Sequence, residues 1–366
     1  MVKQYHAERR SHLRTDLIEG AGRRPALTAK LRPMRLAGAM FLALGFPWYG
    51  EAKAAGFATF DPPGSTDTYA NAINRAGAIA GYYFDAKGVH GFVRAPDGLI
   101  TTFDVPGSSG TAAFAINLAG AIVGTYLDAR GVVHGFLRAP DGTFTTFDPP
   151  GSSGTYARAI NAAGAITGSF EVAEHGFVRA PDGTIKTFFV PGSLFTVPVG
   201  IDVQGTITGH FVDANNVEHG FLRSNNGALT AFDPIGSKGT APAAISESGV
   251  ITGSYRDASN MEHGFVRGPR SGMIISFDPL GSKGTEPAAV SAAGVVTGSY
   301  YTLSSHGFLR APEGRLTTFD PPGSAGTFPA AINLQGLITG SYIDAGLRRH
   351  GFLLRPDLWM TASTAK

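Results

Sequence analysis

Ten histidines occur in this 366-residue chain, and seven of them are spaced so regularly that they suggest a shared chemical or structural role. Each of the seven begins a His-Gly-Phe triplet, and successive triplets lie 44, 41, 44, 44, 43 and 44 residues apart. They are His90, His134, His175, His219, His263, His306 and His350. Imidazoles gathered on one surface can ligate a metal or transfer protons. A period of this length also indicates a repeat protein, in which a residue present in every repeat is often structural.

Aspartates recur near these histidines at two positions of the repeat. One precedes the histidine by a few residues, and the other ends the last predicted strand of the repeat, opposite the histidine. The second group comprises Asp104, Asp148, Asp233, Asp278 and Asp320. A carboxylate hydrogen-bonded to the imidazole in each repeat would join neighbouring strands. We therefore predict a structural role for these aspartates and for His90, His134, His219, His263, His306 and His350, and we predict no metal site.

Four short strands are predicted in each repeat of about 43 residues. In residues 112–148, two apolar strands are joined by a turn at Leu118-Ala119-Gly120. The third strand begins at His134, and Pro140-Asp141-Gly142 turns the chain into a fourth strand rich in Thr and Phe. Four short antiparallel strands per repeat are typical of a β-propeller blade.

The two ends of the repeat region complement each other. Residues 57–65 match a fourth strand without the three strands that should precede it, whereas residues 330–355 match a repeat without its fourth strand. We therefore predict an all-β fold, a seven-bladed β-propeller with four antiparallel strands per blade, whose ring is closed when the N-terminal strand joins the last blade. Residues 55–357 form this domain, and residues 358–366 form a C-terminal tail.

A longer motif surrounds each triplet. In the second repeat, Ile116-Asn117-Leu118-Ala119-Gly120-Ala121-Ile122-Val123-Gly124 precedes His134-Gly135-Phe136. This motif resembles the HAF family of bacterial extracellular repeats, in which an Ile-Asn-x-x-Gly-x-x-x-Gly stretch precedes a His-Ala-Phe core. The resemblance covers residues 57–355 and departs from the family by having Gly in place of Ala in every copy. It implies an exported repeat protein without an established activity, and it carries over no catalytic residue.

The third repeat breaks the pattern. Its first aspartate is replaced within Phe170-Glu171-Val172-Ala173-Glu174 and its second by Phe189, so that His175 lacks both carboxylates. In the next repeat, His210 stands where most repeats have Ser or Thr. Functional sites in repeat proteins often lie where the repeat is interrupted. Glu171, His175 and His210 are therefore candidate ligand-binding residues.

Positions predicted to face a central channel also differ between repeats. They hold Tyr69 and Asn71 in the first repeat, Tyr156 and Arg158 in the third, and Glu286 in the sixth. An arginine suits a ligand carboxylate, and tyrosine rings suit stacking on a sugar. We predict that these residues contribute to a ligand site at the mouth of the channel. Sequence drift at solvated positions is the alternative explanation.

The N-terminus predicts export. An arginine-rich segment, an apolar run at residues 36–46 and the site Ala52-Lys53-Ala54 describe a signal peptide that ends at residue 54. The basic part is long, which suggests that Met34 is the true start. Removing residues 1–54 takes ten of 30 basic and four of 28 acidic residues, so the remainder has a net charge of about −4. Such a domain is not suited to nucleic acid, and we expect it in the periplasm or outside the cell, without a transmembrane anchor.

The remaining chemistry is sparse. The chain has no cysteine, Gly-x-Ser-x-Gly motif, phosphate-binding loop or His-Glu-x-x-His helix, and we predict no cofactor. The favoured function is a monomeric binding module for an extracellular glycan or protein on the face that carries the loops. One alternative is a polysaccharide lyase or hydrolase at the channel mouth, and another is a structural envelope protein without a polar pocket there. The enzyme requires that two of these side chains converge: Arg158, Glu171, His175 and Glu286.

Overall fold

A computed structural model describes residues 56–171 and 175–355, and all regular structure in these residues is β-strand. The predicted leader and C-terminal tail lie outside the described residues. No helix in the described part is long and apolar enough to cross a membrane. The strands fall into groups of four, which we call units and number along the chain.

β1 spans Phe57–Phe60. Unit 1 contains β2 (Asp67–Ile73), β3 (Ile79–Phe84), β4 (Val89–Arg94) and β5 (Ile100–Phe103). Unit 2 contains β6 (Gly110–Ile116), β7 (Ile122–Leu127), β8 (Val133–Arg138) and β9 (Phe144–Phe147). Unit 3 contains β10 (Thr155–Ile160), β11 (Ile166–Phe170), β12 (His175–Arg179) and β13 (Ile185–Phe188). Unit 4 contains β14 (Phe195–Ile201), β15 (Ile207–Val212), β16 (Glu218–Arg223) and β17 (Leu229–Phe232). Unit 5 contains β18 (Gly239–Ile245), β19 (Ile251–Arg256), β20 (Glu262–Arg267) and β21 (Ile274–Phe277). Unit 6 contains β22 (Thr285–Val290), β23 (Val296–Tyr301), β24 (Ser305–Arg310) and β25 (Leu316–Phe319), and β26 (Ser324–Ile332), β27 (Ile338–Asp344) and β28 (Arg349–Leu354) follow.

Units 2 to 6 form separate four-stranded antiparallel sheets, in which each strand pairs with the next along the chain. The remaining strands form one eight-stranded sheet with the order β26-β27-β28-β2-β3-β4-β5, in which β1 pairs with β28. β1 is antiparallel to β28, with Phe57 opposite Leu354 and Phe60 opposite Gly351, so we assign β26, β27, β28 and β1 to unit 7. A single parallel pairing, Asp67 with Arg349, joins unit 7 to unit 1. The predicted all-β fold of repeated four-stranded antiparallel sheets is confirmed.

Aspartate and glycine shape the turn between the third and fourth strands. In unit 2, the carboxylate of Asp141 accepts a hydrogen bond from the backbone N–H of Thr143 at 2.9 Å. Gly142 follows with a φ of 94°, a left-handed conformation that glycine adopts at little cost. The predicted Pro-Asp-Gly turn is therefore confirmed, and its side-chain hydrogen bond explains why an aspartate precedes the glycine.

Phenylalanines form the core between neighbouring units. The fully buried third-strand rings are Phe92, Phe136, Phe177, Phe221, Phe265, Phe308 and Phe352. Each contacts a fourth-strand phenylalanine of the preceding unit edge to face, as Phe136 does with Phe103 at 6.3 Å between ring centroids. The guanidinium of Arg138 covers the same Phe103 ring at 4.9 Å, a cation–π contact that recurs in other units. These aromatic side chains therefore pack unit against unit.

Two glycines of each unit are required by close contacts. A Cβ on Gly124 of β7 would overlap the backbone oxygen of Ala112, because the first and second strands approach closely there. Gly135, the middle residue of a His-Gly-Phe triplet, lies under the ring of Phe147, and a Cβ there would come within 2.8 Å of the ring. The equivalent glycines also lie against a fourth-strand phenylalanine, so this ring explains why each triplet has glycine at its centre.

Candidate ligand site on the loop-bearing face

The connections between units and the loops between second and third strands lie at the same end of the sheets. Ser109, which follows β5, donates its backbone N–H to the carbonyl of Leu127 at the end of β7 at 2.8 Å. The backbone N–H of Ser153 contacts the carbonyl of Glu171 in the same way at 2.9 Å. We call this end the loop-bearing face. The third strands begin here, so the His-Gly-Phe histidines lie on it.

Six repeat histidines contact the aspartate that follows a fourth strand. In unit 2, His134 Nδ1 lies 2.7 Å from Asp148 Oδ2, and the hydroxyl of Thr155 donates to the other carboxylate oxygen at 2.5 Å. Because Thr155 begins unit 3, Asp148 links its own unit to the next. The other His–Asp distances are 2.6 to 2.8 Å, in the pairs His90–Asp104, His219–Asp233, His263–Asp278, His306–Asp320 and His350–Asp61.

A second aspartate lies on the other side of most of these imidazoles. In unit 5, His263 Nε2 is 3.4 Å from Asp257 Oδ2. Burial lowers the pKa of His263, but hydrogen bonds and charges from Asp278 and Asp257 outweigh it and hold this pKa above the usual 6.5. An imidazole that retains its proton is a donor in ion pairs and a poor metal ligand. In the described residues, no group of three His, Asp or Glu side chains is placed to hold a metal ion.

His175 of unit 3 has aromatic neighbours instead. Its ring centroid lies 5.2 Å from that of Phe189 and 5.8 Å from that of Phe170. Phe189 occupies the position of the fourth-strand aspartate, so an aromatic contact replaces the polar link. The broken pattern in unit 3 is therefore a local change of packing around His175.

A cavity of about 370 Å³ opens on the loop-bearing face between units 4, 5 and 6, and we call it the mouth cavity. Its ionisable lining residues include His210, Glu218, Arg256, Glu262 and Glu286. Glu218 is only 3% exposed, and its carboxylate oxygens lie 3.6 Å from Arg256 Nη2 and 3.7 Å from His210 Nε2. Since Arg256 belongs to unit 5, this ionisable network crosses a boundary between sheets.

Hydroxyl groups hold the other two carboxylates at this end. Ser254 donates to Glu262 at 2.6 Å, and Tyr301 donates to Glu286 at 2.7 Å. Burial raises the pKa of the Tyr301 phenol, and the neighbouring Glu286 carboxylate raises it further. Tyr301 therefore stays protonated at neutral pH and remains a hydrogen-bond donor to Glu286.

Two carboxylates of the mouth cavity stand at a position that is apolar in units 1 and 2 but polar or charged in the remaining units. The residue before the repeat histidine is Val89 in unit 1 and Val133 in unit 2, but Glu218 in unit 4 and Glu262 in unit 5. The prediction of site residues missed both glutamates because it did not compare the residue before each repeat histidine. A comparison of the residue before each histidine, and of the second-strand position that holds Arg256, would have identified them.

Units 7, 1 and 2 carry aromatic side chains at positions equivalent to those that line the mouth cavity in units 4, 5 and 6. Tyr69 stacks on Tyr82 with 4.7 Å between ring centroids, and Tyr82 meets Phe114 edge to face at 6.2 Å. The guanidinium of Arg349 lies 4.8 Å from the Tyr69 ring and 4.6 Å from the Phe328 ring. The predicted stacking residue Tyr69 is therefore packed into an aromatic cluster, in a different group of units from the charges of the mouth cavity.

The other predicted site residues have separate partners. Asn71 donates a side-chain hydrogen bond to the Ala113 carbonyl at 2.8 Å. Arg158 lies over the Phe114 ring at 5.3 Å. Both residues thus contact the neighbouring unit 2, and neither lines the mouth cavity.

Two more predicted residues pair with each other in unit 3. Tyr156 is buried and donates to the Glu171 carboxylate at 2.8 Å. Glu171 and His175 do not line the mouth cavity. The structure therefore brings His210 and Glu286 together in one cavity and places the other candidates elsewhere.

A second cavity, of about 250 Å³, lies at the opposite ends of the first strands. Asparagines that follow these strands donate to backbone carbonyls of the next unit. The Nδ2–O distances are 3.0 to 3.3 Å in the pairs Asn74–Asn117, Asn117–Asn161, Asn161–Asp202 and Asn333–Asn74. Asp202, Ser246 and Ser291 replace the asparagine in units 4, 5 and 6. Units 4, 5 and 6, which surround the mouth cavity, thus lack the asparagine side chain that donates to the next unit elsewhere.

No protein-family model and no curated protein matches the chain. Solved structures do match it. A streptogramin B lyase has a TM-score of 0.58 at 15% identity, over 83% of this chain and 100% of its own. Virginiamycin B lyase from Staphylococcus aureus has a TM-score of 0.58 at 14% identity, over 81% and 98%. A prolyl endopeptidase structure has a TM-score of 0.58 at 9% identity, over 79% of this chain and 48% of its own. At such identities the likeness shows the fold alone, which is propeller-like.

Proposed function

We propose that the chain is an exported seven-bladed β-propeller of the HAF type, which binds an extracellular glycan or protein at the mouth cavity. Ring closure is supported by three contacts between the ends of the repeat region. β1 pairs with β28, His350 contacts Asp61, and Asn333 donates to the Asn74 carbonyl. These contacts are the same kinds that join consecutive strands and units elsewhere.

The buried carboxylate of Glu218 is the observation that carries the binding function. Removing a charge from water costs several kcal/mol, and an ion pair returns only part of that cost. The fold does not need a charge at this position, because Val89 and Val133 occupy it in units 1 and 2. Groups that reduce stability without a structural need are typical of functional sites. The polar cavity also favours binding over a purely structural role, which predicts no such pocket.

Binding arrays test the proposal. The purified chain is applied to glycan and peptide arrays beside Glu262→Gln, which keeps the side-chain size and removes a charge from the mouth cavity. Asp141→Asn, on the opposite face, is the matched control, and Arg158→Ala tests the predicted arginine. Loss of binding in Glu262→Gln alone supports the mouth cavity. Loss in Arg158→Ala alone moves the site to the boundary of units 2 and 3, and no binding to either array contradicts the function.

An enzyme is the second candidate, favoured by the Glu286–Tyr301 and His210–Glu218 contacts in one cavity. A carboxylate and an imidazole near each other can act as acid and base on one substrate. The panel for turnover consists of uronic-acid polysaccharides, lactones and virginiamycin B, which is the substrate named for a structure of similar fold. Product formed by the chain and lost in His210→Ser would replace binding with catalysis as the function.

A further inference from the structure

Two connections on the loop-bearing face depart from the repeat in the same way. The connection reads Asp-Pro-x-Gly-Ser or a close variant, and x is proline at five places, Pro63, Pro106, Pro150, Pro191 and Pro322. In the connections before and after unit 5, this position holds Ile235 and Leu280. Ile235 is fully exposed, and Leu280 is 89% exposed. Both large apolar side chains therefore project into solvent, on the connections that lead into β18 and β22, two strands that line the mouth cavity.

The backbone of these connections does not require an isoleucine or a leucine. Gly151 and Gly236, which follow Pro150 and Ile235, both have a φ of 78°. The serine after each glycine donates to the carbonyl three residues earlier at 3.1 Å. This is the geometry of a type II turn, in which proline is favoured at the position that Ile235 occupies. The apolar side chains thus replace the residue that the turn itself prefers.

Neighbouring loops add apolar side chains on the same face. Leu303, in the loop between β23 and β24, is 96% exposed, and Met261, in the loop between β19 and β20, is also exposed. Single exposed apolar residues are common on protein surfaces, whereas a group of them on adjacent loops marks an interaction surface. We call Ile235, Met261, Leu280 and Leu303 the apolar rim.

The charges beside the apolar rim are mostly negative. From residue 213 to residue 286, this face carries the carboxylates Asp213, Glu218, Asp233, Asp257, Glu262, Asp278 and Glu286 and the cations Lys238, Arg256 and Lys283. The four aspartates are paired with His219 and His263, whereas the three glutamates line the mouth cavity. The Lys238 ammonium donates to the Ala258 carbonyl at 2.6 Å, and Arg256 lies beside Glu218. A partner that complements this surface is basic where it meets the mouth cavity and apolar around that point.

We infer that the apolar rim and the mouth cavity together dock a protein partner, through a segment in which a lysine or arginine enters the cavity and flanking apolar side chains cover Ile235 and Leu280. This inference rests on the proposed function and names the class of ligand. A glycan fits less well, because it offers no large aliphatic side chains to cover the rim.

The test uses the full chain and a defined peptide set. Synthetic peptides of fifteen residues carry a central Lys or Arg with Leu, Ile or Phe on either side, and matched peptides carry Glu at the centre or Ser at the flanks. Affinities are measured by fluorescence anisotropy for the parent and for Ile235→Pro/Leu280→Pro. That variant restores the residue found at the other connections, so its thermal midpoint should be unchanged or higher. Leu99→Ser, which removes an exposed apolar side chain on the opposite face, is the control.

We expect the basic, apolar-flanked peptides to bind and the two matched sets to bind at least about tenfold more weakly. Ile235→Pro/Leu280→Pro and Glu262→Gln should each weaken binding by about tenfold or more, and Leu99→Ser should not.

Three outcomes would overturn the docking surface. Peptide binding that is lost in Glu262→Gln but unchanged in Ile235→Pro/Leu280→Pro leaves the mouth cavity as a site and removes the apolar rim. Glycan binding without peptide binding preserves the proposed function and overturns the protein partner. Binding of the parent, but not of the double proline variant, to neutral phosphatidylcholine vesicles would assign the rim to a lipid surface.

Discussion

His350 Nδ1 lies 2.7 Å from the carboxylate of Asp61, a residue 289 positions earlier in the chain. The same contact joins His90 to Asp104 over 14 positions. Thr68 donates to Asp61 at 2.6 Å, just as Thr155 donates to Asp148. The ends of the repeat region are therefore joined by the contacts that operate inside it. The proposed ring closure would thus need no structural device of its own.

Deleting residues 1–61 should destabilise the protein and promote its association. The deletion removes β1, exposes the edge of β28 and uncovers core contacts of Phe57 and Phe60. We expect a loss of at least about 3 kcal/mol of unfolding free energy, because two large apolar side chains leave the core. An unpaired edge strand also favours intermolecular pairing. Urea denaturation and sedimentation measure the two effects, with deletion of residues 1–55 as control. Equal stability and a monomeric state would contradict the role of β1.

Replacing His134 with alanine should cost about 0.5 to 1.5 kcal/mol, because the solvent-exposed Asp148 loses a hydrogen-bond partner that joins two strands. His175→Ala is the matched control, since His175 occupies the same strand position but contacts Phe170 and Phe189. Chemical denaturation of both variants gives the comparison. If the two variants lose the same free energy, the carboxylate contact is not what stabilises the repeat.

Stability should depend on pH through the His–Asp links. The pKa values of His263 and His350 are raised in the folded state, because aspartate contacts outweigh burial. Their contribution is therefore fully present below the unfolded histidine value near 6.5 and is lost as pH rises through the folded pKa. A hydrogen bond from the Met261 backbone lowers the pKa of Asp257, and the nearby His263 side chain lowers it further. The stabilisation that Asp257 contributes is therefore lost when the pH falls through this lowered pKa.

The temperature of the thermal unfolding midpoint should therefore decrease as the pH is raised from about 6 to about 9. His263→Gln/His350→Gln should show a smaller fall over the same range, because the two titrating groups are absent. Differential scanning calorimetry in buffers of equal ionic strength measures both profiles. Identical slopes for parent and variant would exclude these two histidines as the cause.

Gly135→Ala tests why the triplet contains glycine. The added methyl group would press against the Phe147 ring, and we expect a loss of about 1 to 3 kcal/mol. Phe147→Leu makes room for the methyl group, so the double variant should lose less than the sum of the two single variants. Strict additivity in a denaturation cycle would mean that the ring does not select glycine.

Replacing the ion pair of the mouth cavity, in which Glu218 is buried and Arg256 is partly exposed, should raise stability. Val89 and Leu127 occupy the positions equivalent to Glu218 and Arg256 at the boundary of units 1 and 2. Glu218→Val/Arg256→Leu should therefore stabilise the fold by about 1 to 4 kcal/mol and abolish ligand binding. Arg256→Leu alone leaves the buried Glu218 carboxylate without its arginine and should destabilise. A double variant less stable than the parent would give the pair a structural role.

Most of the architecture follows from local sequence. The strand pattern and the phenylalanines of the third and fourth strands recur in every repeat, and the Pro-Asp-Gly turn recurs in units 1 to 3. Each of these features depends on neighbours a few residues away or on one repeated contact. The four-stranded sheets could therefore be predicted, and so could the proximity of His134 to Asp148. Only part of the site was predictable: His210 and Glu286 share a cavity, whereas Tyr69, Arg158 and His175 do not belong to it.

By itself, the sequence determined the period, the strands and the residues that every unit uses to contact its neighbours. Only the tertiary structure decided which variable side chains meet. Glu218 and Arg256 are far apart in the chain and lie in different sheets, so their contact depends on how two sheets pack and on which side of a strand each side chain projects. The same packing buries Tyr69 against Tyr82 and separates it from the carboxylates. Pairing within a repeated sheet is periodic and can be read from the chain, whereas contacts between non-repeated side chains arise only when the units are assembled.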